Sequence, residues 1–156
     1  MSIQLSTAGV TMKYAVEATS GTRPTTGYTE VPELKAIPEM NPEPDTLETT
    51  NLKETEYKTY IAGLKDLGGA LGFTINLTKD SLAAWSTMVE AYDEAAGEGK
   101  AMWFCIDVPG LAKDLFFTGQ PTPLGLPGME VNNVLEATAY ITPTNAPVWD
   151  AKLSEV

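Results

Sequence analysis

Leu71, Phe73, Ile75 and Leu77 alternate without a break with Gly72, Thr74, Asn76 and Thr78. Side chains along a strand point to opposite faces with a period of two, so this stretch buries one face and leaves the other small and polar. The same spacing wound into a helix would scatter its apolar groups around the cylinder. Residues 71–78 therefore predict a half-buried strand, and with it a sheet to which that strand belongs.

The residues before it set its expected partner. Pro38, Pro42 and Pro44 forbid helix between Ile37 and Asp45 and hold the chain extended or turning. Thr46 to Leu52 is short and threonine-rich and predicts an edge or half-exposed strand. The two strands are expected to form a hairpin whose connection, residues 53–69, is about three times the usual ~2–5 residues. That connection carries Tyr57, Tyr60, Ile61, Leu64 and Leu67 among lysines and glutamates, and ends in Gly68 and Gly69. One reading is a solvated surface loop. The apolar content argues otherwise, because side chains with no home in their own small domain bury themselves in a neighbour.

The order of these pieces resembles the major tail tube proteins of long-tailed (siphovirus-like) bacteriophages. The run is PEPD, then LETTNL, then Tyr57-Lys58-Thr59-Tyr60-Ile61-Ala62-Gly63-Leu64-Lys65-Asp66, then the alternating strand. The resemblance implies a mainly β subunit, an antiparallel β-sandwich or partly open barrel with one packed α-helix and a long hairpin loop. It implies hexameric rings stacked head to tail into a hollow virion tail tube, through which DNA passes without being specifically bound. It also implies assembly in the host cytoplasm, with tape measure, tail-tip and tail-terminator proteins as further partners. On this reading Tyr57, Tyr60, Ile61, Leu64, Lys65 and Asp66 form the assembly loop between rings. Thr46, Glu48, Thr50, Thr74, Asn76 and Thr78, on the face opposite the core, line the lumen.

Length and charge agree with a structural role. A chain of 156 residues is one domain, residues 1–156, able to bury roughly 68–70% of its unfolded surface around a single core. Ten Lys and Arg against 21 Asp and Glu give a net charge of −11, which disfavours nucleic acid as a bound ligand because phosphate contacts need cations. The opening residues lack the basic start and apolar core of a secretory leader, and no run of ~18 apolar residues predicts a membrane span.

Catalysis and metal binding find little support. Histidine is absent, which removes the usual general base and the commonest metal ligand. The single cysteine, Cys105, lies within the apolar run AMWFCIDV, where a thiol serves as inert packing and no internal disulfide can form. No nucleophile elbow or phosphate loop appears. Asn41, Glu43 and Asp45 offer oxygen ligands in alternation, but the intervening prolines hold them apart, and calcium is disfavoured. The expectation is no enzyme, no cofactor and no metal.

Elsewhere Val10 to Thr19 alternates and predicts the first long strand, followed by a loop at Ser20 to Tyr28 and a short extended piece at Glu30 to Ile37. A helix is expected at about 80–96, capped by Thr78 or Asp80, with Leu82, Trp85, Val89 and Tyr92 as its buried stripe and Gly97 as its stop. Ala101 to Val108 predicts a central strand covered on both sides, turning at Pro109-Gly110 into a second strand over Asp114 to Gly119. Gln120 to Gly128 reads as loop, and Met129 to Thr142 as a strand pair or one bent strand with a bulge or turn at Asn132-Asn133. Trp149 is expected to dock on the core. About seven strands result, mainly antiparallel.

Two other functions fit such a fold. A free-standing β-sandwich recognising carbohydrate or protein would need Trp85, Trp103 and Trp149 exposed, whereas their contexts predict burial. A type VI secretion-like tube protein shares the fold and the ring assembly.

Overall fold

The computed structural model describes residues 8–41, 43–53, 56–65 and 69–153. Its largest unit is an eight-stranded sheet in which every pairing is antiparallel. In chain order the strands are β1 (Thr11–Val16), β2 (Thr29–Glu30), β3 (Leu34–Ala36), β4 (Pro44–Glu48), β5 (Tyr60–Lys65), β6 (Leu71–Asn76), the helix α1 (Lys79–Gly97), β7 (Met102–Asp107), β8 (Lys113–Pro121), β9 (Glu136–Pro143) and β10 (Val148–Ala151). The sheet runs β2-β1-β7-β8-β9-β6-β3, with β10 added to β8, while β4 and β5 pair only with each other.

One apolar cluster explains the shape. It joins Met12 of β1, near one end of the sheet, to Phe73 and Ile75 of β6, near the other. A flat sheet could not bring these into one core, so the sheet curls into an antiparallel half-barrel and closes over Trp85 and Met88 of α1. The mainly β, partly open barrel expected from the sequence is the fold observed. Phe104 and Phe117 face each other across β7 and β8 and stack with centroids 5.2 Å apart.

Strand β8 makes the corner. Its first part pairs with β7 and β10, and its last residues, Gly119 to Pro121, pair with β9. The bend brings the backbones so close that a Cβ on Gly119 would lie 2.6 Å from Ile141 Cγ2 and 3.2 Å from the Thr142 carbonyl oxygen. Only glycine fits there. Residues 120–121, expected in a loop, therefore extend the strand across the corner.

The far side of β1, β7 and β8 is also covered, by the loop after β1 and by the chain's later residues. The Arg23 guanidinium sits 3.9 Å from the centre of the Phe116 ring and donates to Asp150 at 2.7 Å, and Tyr28 meets Phe116 edge-on. Glu17 is buried and holds this layer together: its carboxylate accepts from the Ala101 and Gly21 amides and from Trp103 Nε1. Asp114 is buried beside Cys105, with Lys152 2.6 Å from Asp107 and 3.7 Å from Asp114. The central position expected for residues 101–108 follows from these two cover layers.

The helix begins where the sequence places it. Thr78 Oγ1 accepts from the Ser81 amide, and Ser81 Oγ accepts from the Thr78 amide, a reciprocal cap. Ser81 also donates to the Asn76 carbonyl, which turns its side chain inward and buries it. That cap rotates the helix away from the expected stripe. Ser81, Trp85, Met88 and Ala95 are buried, Val89 and Tyr92 pack at the margin, and Leu82 is exposed. The chain leaves the helix with Gly99, not Gly97, in the left-handed conformation. No helix among the described residues is long and apolar enough to cross a membrane.

Candidate assembly surface

The segment expected as a long connection is itself a hairpin. Leu47 pairs with Ile61, Glu48 with Tyr60, and Thr46 with Ala62, in a two-stranded ribbon separate from the main sheet. The threonines extend the ladder beyond the strand ends: the Thr49 amide donates to the Thr59 carbonyl at 2.7 Å, and the Thr59 amide donates to Thr50 Oγ1 at 2.9 Å. At the base Gly63 passes so close to Asp45 that a Cβ would sit 3.1 Å from its carbonyl oxygen, next to the shift in register between Pro44 and Thr46. Thus β4 pairs with β5, and the expected pairing of residues 46–52 with residues 71–78 does not form. The sequence signal of β6 was right about burial, but β6 takes β3 and β9 as its neighbours.

Successive residues of a ribbon face opposite ways. Tyr60 shares one face with Thr46 and Glu48, Leu47 and Ile61 share the other, and Leu64 lies beyond the register shift. All of these apolar side chains are exposed, Leu64 to 86%, and Tyr57 near the tip to 80%. A two-stranded ribbon with apolar groups bare on both faces is marginal on its own in water, and a covering partner would complete it. Tyr57, Tyr60, Ile61, Leu64 and Lys65 are therefore brought together on one projecting element. Asp66 lies outside the described residues.

The six expected lumen residues are not brought together. Thr46 and Glu48 lie on the ribbon, and Thr50 is taken up by its ladder. Thr78 is the helix cap. Only Thr74 and Asn76 share the outer face of the main sheet, beside Gly72. The pairing of β6 with β9 adds Glu136, Thr138 and Tyr140 to that face, and Thr142 continues it. Lys35 of β3 bonds Glu136 there. The alternation of these residues with Ala137, Ala139 and Ile141 could have found this face from the sequence, since it is the same signal that marks β6.

Two further features stand out. A cleft between the ribbon base and the sheet is lined by Met40, Lys65, Leu115, Thr142 and Trp149, and Trp149 is exposed rather than docked in the core. The connection from β8 to β9 exposes Leu126, Met129, Val131 and Val134, Val131 to 88%. Its turn passes through Asn132 at a φ of 66°, so residues 129–135 are irregular and only 136–143 form strand. Cys105 is buried, and burial, with Asp114 beside it, pushes its thiol up to about 12, far from a reactive thiolate.

No protein-family model matches the chain, and no curated protein matches its sequence. Its fold does have a solved counterpart. A chain in the cryo-EM structure of the anti-feeding prophage baseplate, six-fold symmetrised, is similar with a TM-score of 0.63 at 9% identity. The match covers 97% of this chain and 98% of that one. At that identity the likeness is one of fold.

Proposed function

We propose that this chain is a structural subunit of a phage-tail-like tube, in which six copies close a ring and rings stack head to tail around a bore for DNA. The observation that carries this reading is the end-to-end fold likeness to a chain of a six-fold prophage baseplate, which leaves almost no residue of either chain unmatched. The ribbon of β4 and β5 supports it, since its bare apolar faces suit burial against a sister copy. Tape measure, tail-tip and tail-terminator proteins are the further partners this role requires. This reading gives the chain a structural part and assigns it no catalytic step.

The bore is assigned to the outer face of β6 and β9, where Thr74, Asn76, Thr138 and Thr142 are small and polar. Lys35 at the edge of this wall is bonded to Glu136, which leaves phosphate little free positive charge to stick to. Purified protein at rising concentration, imaged in negative stain, is expected to give six-fold rings or hollow rods. A monomer at every concentration, even with a tail-tip partner added, would overturn the reading. Thr74→Lys with Asn76→Lys should leave rods intact and slow DNA passage in virions carrying it, and unchanged infectivity would remove the bore assignment.

A further inference from the structure

We infer that the connection between β8 and β9, around Leu126, Met129 and Val131, is the surface on the next copy that receives the β4–β5 ribbon. The inference rests on the reading that copies stack head to tail. A heterologous contact joins two different patches of one molecule, and to propagate along an axis they must sit at opposite ends of it. The exposed apolar side chains divide in that way. The ribbon springs from the end of the sheet where β9 finishes, because Met40, Asn41, Lys65 and Gly69 line one cleft with Thr142 and Pro143. The β8–β9 connection begins beside Tyr140, and its later part, from Gly128 on, lies where β9 starts, tied there by the Leu77 amide donating to the Leu135 carbonyl at 2.9 Å. The length of β9 separates them, roughly 25 Å for a strand of this size.

The connection also offers a seat. Gly128, Asn132 and Val134 line a groove that opens onto Thr74 and Thr138 at the margin of the face assigned to the bore, so the ribbon is seated on the connection itself and not on that face. Charge favours this pairing over others. Two copies of a −11 chain repel unless their touching surfaces are locally relieved. The ribbon, residues 44–65, holds Lys53, Lys58 and Lys65 against Asp45, Glu48, Glu54 and Glu56, and residues 122–135 carry Glu130 as their single charge. Two nearly neutral, apolar surfaces thus meet, and neither brings the acidic charge of the rest of the chain into the contact. The helix, with Glu90, Asp93, Glu94 and Glu98, makes a poorer seat for a sister molecule.

Inter-copy disulfides test this on the full chain. Leu64→Cys is mixed in turn with Leu126→Cys, Met129→Cys and Val131→Cys, oxidised under assembly conditions, and run on a non-reducing gel; buried Cys105 stays out of the exchange. A mixed dimer in at least one pair, absent from each variant alone, is the expected result. Rods that form with no cross-link in any of the three pairs would overturn the receiving surface while leaving self-assembly standing. Wild-type protein that never assembles would remove the stacking itself, and this inference with it. Independently, Val131→Glu should raise the concentration needed for rods at least tenfold with an unchanged circular dichroism spectrum, and assembly at the wild-type concentration would count against it.

Discussion

Glu17 shows how one residue can hold a layer in place. Burial pushes its carboxyl up, but the hydrogen bonds from Trp103 Nε1 and from the Ala101 and Gly21 amides outweigh that, and it is held below the usual glutamate range. A carboxyl lowered on folding contributes stability above its unfolded pKa, and that contribution is lost as pH falls through the lower folded value. Glu17→Ala strands the Trp103 and Ala101 donors and is expected to cost ~2–4 kcal/mol in urea unfolding at neutral pH. Its deficit should shrink as pH drops below about 4, because the wild type then loses the same bonds. A deficit that stays constant down to acid pH would show that packing, not the ionised carboxylate, sets the cost. Gly119 is the second sensitive residue. Its missing Cβ leaves the gap through which β8 crosses from β7 to β9, and Ile141 on the far side is fully buried and branched, so it cannot swing aside. Gly119→Ala should destabilise by ~1–3 kcal/mol through overpacking. An unchanged denaturation midpoint would show that the corner relaxes freely.

Among the elements, the β4–β5 ribbon separates folding from assembly most cleanly. Its apolar side chains touch little of the core, so Ile61→Asp with Leu64→Asp should shift the denaturation midpoint by no more than about 0.5 kcal/mol equivalent, as exposed substitutions do. The same double variant should lose rod formation in negative stain. Loss of the fold instead would mean that the ribbon braces the half-barrel. This element also marks the boundary of what the sequence made legible. β6, with one strictly buried face, was readable because alternation is a local signal, and the doubly covered β7 because it is apolar on both sides; β1 alternates in sequence although it buries Met12 on one face and Ala15 on the other. Pairing is not local. Nothing in residues 46–52 says that their partner is 59–65 rather than 71–78, since both choices make plausible hairpins and only the competition of β9 for β6 decides. The helix stripe was right at Trp85 and marginal at Val89 and Tyr92, but Leu82 was wrong for a related reason. Leu82 looks like core and Ser81 does not, yet the reciprocal cap with Thr78 and the bond to the Asn76 carbonyl fix which way the first turn faces. The projecting aromatic and aliphatic cluster was legible as an exposed excess. The β8–β9 connection, equally apolar, was masked by the prolines and glycines that mark it as loop.

At the scale of the whole molecule, the governing quantity is the net charge of −11 on a chain proposed to contact many copies of itself. Apolar burial favours contact and is little affected by moderate salt, whereas repulsion between the acidic bodies acts across the solvent between them. The screening length is about 30 Å at 0.01 M salt and about 3 Å at 1 M, so at low ionic strength a copy feels the whole charge of its neighbour and at high strength only the groups it touches. If the touching groups are the near-neutral patches at the two ends of β9, screening removes repulsion and leaves the attraction intact. The concentration required for assembly should then fall steadily from ~20 mM to ~0.5 M sodium chloride, read as scattering intensity against protein concentration. Contacts built on ion pairs would behave in the opposite way, because salt would weaken the attraction itself. A threshold that rises with salt would therefore place the joining surfaces on charged residues, and would move the search from the apolar ribbon to the acidic helix and the lysines that could oppose it.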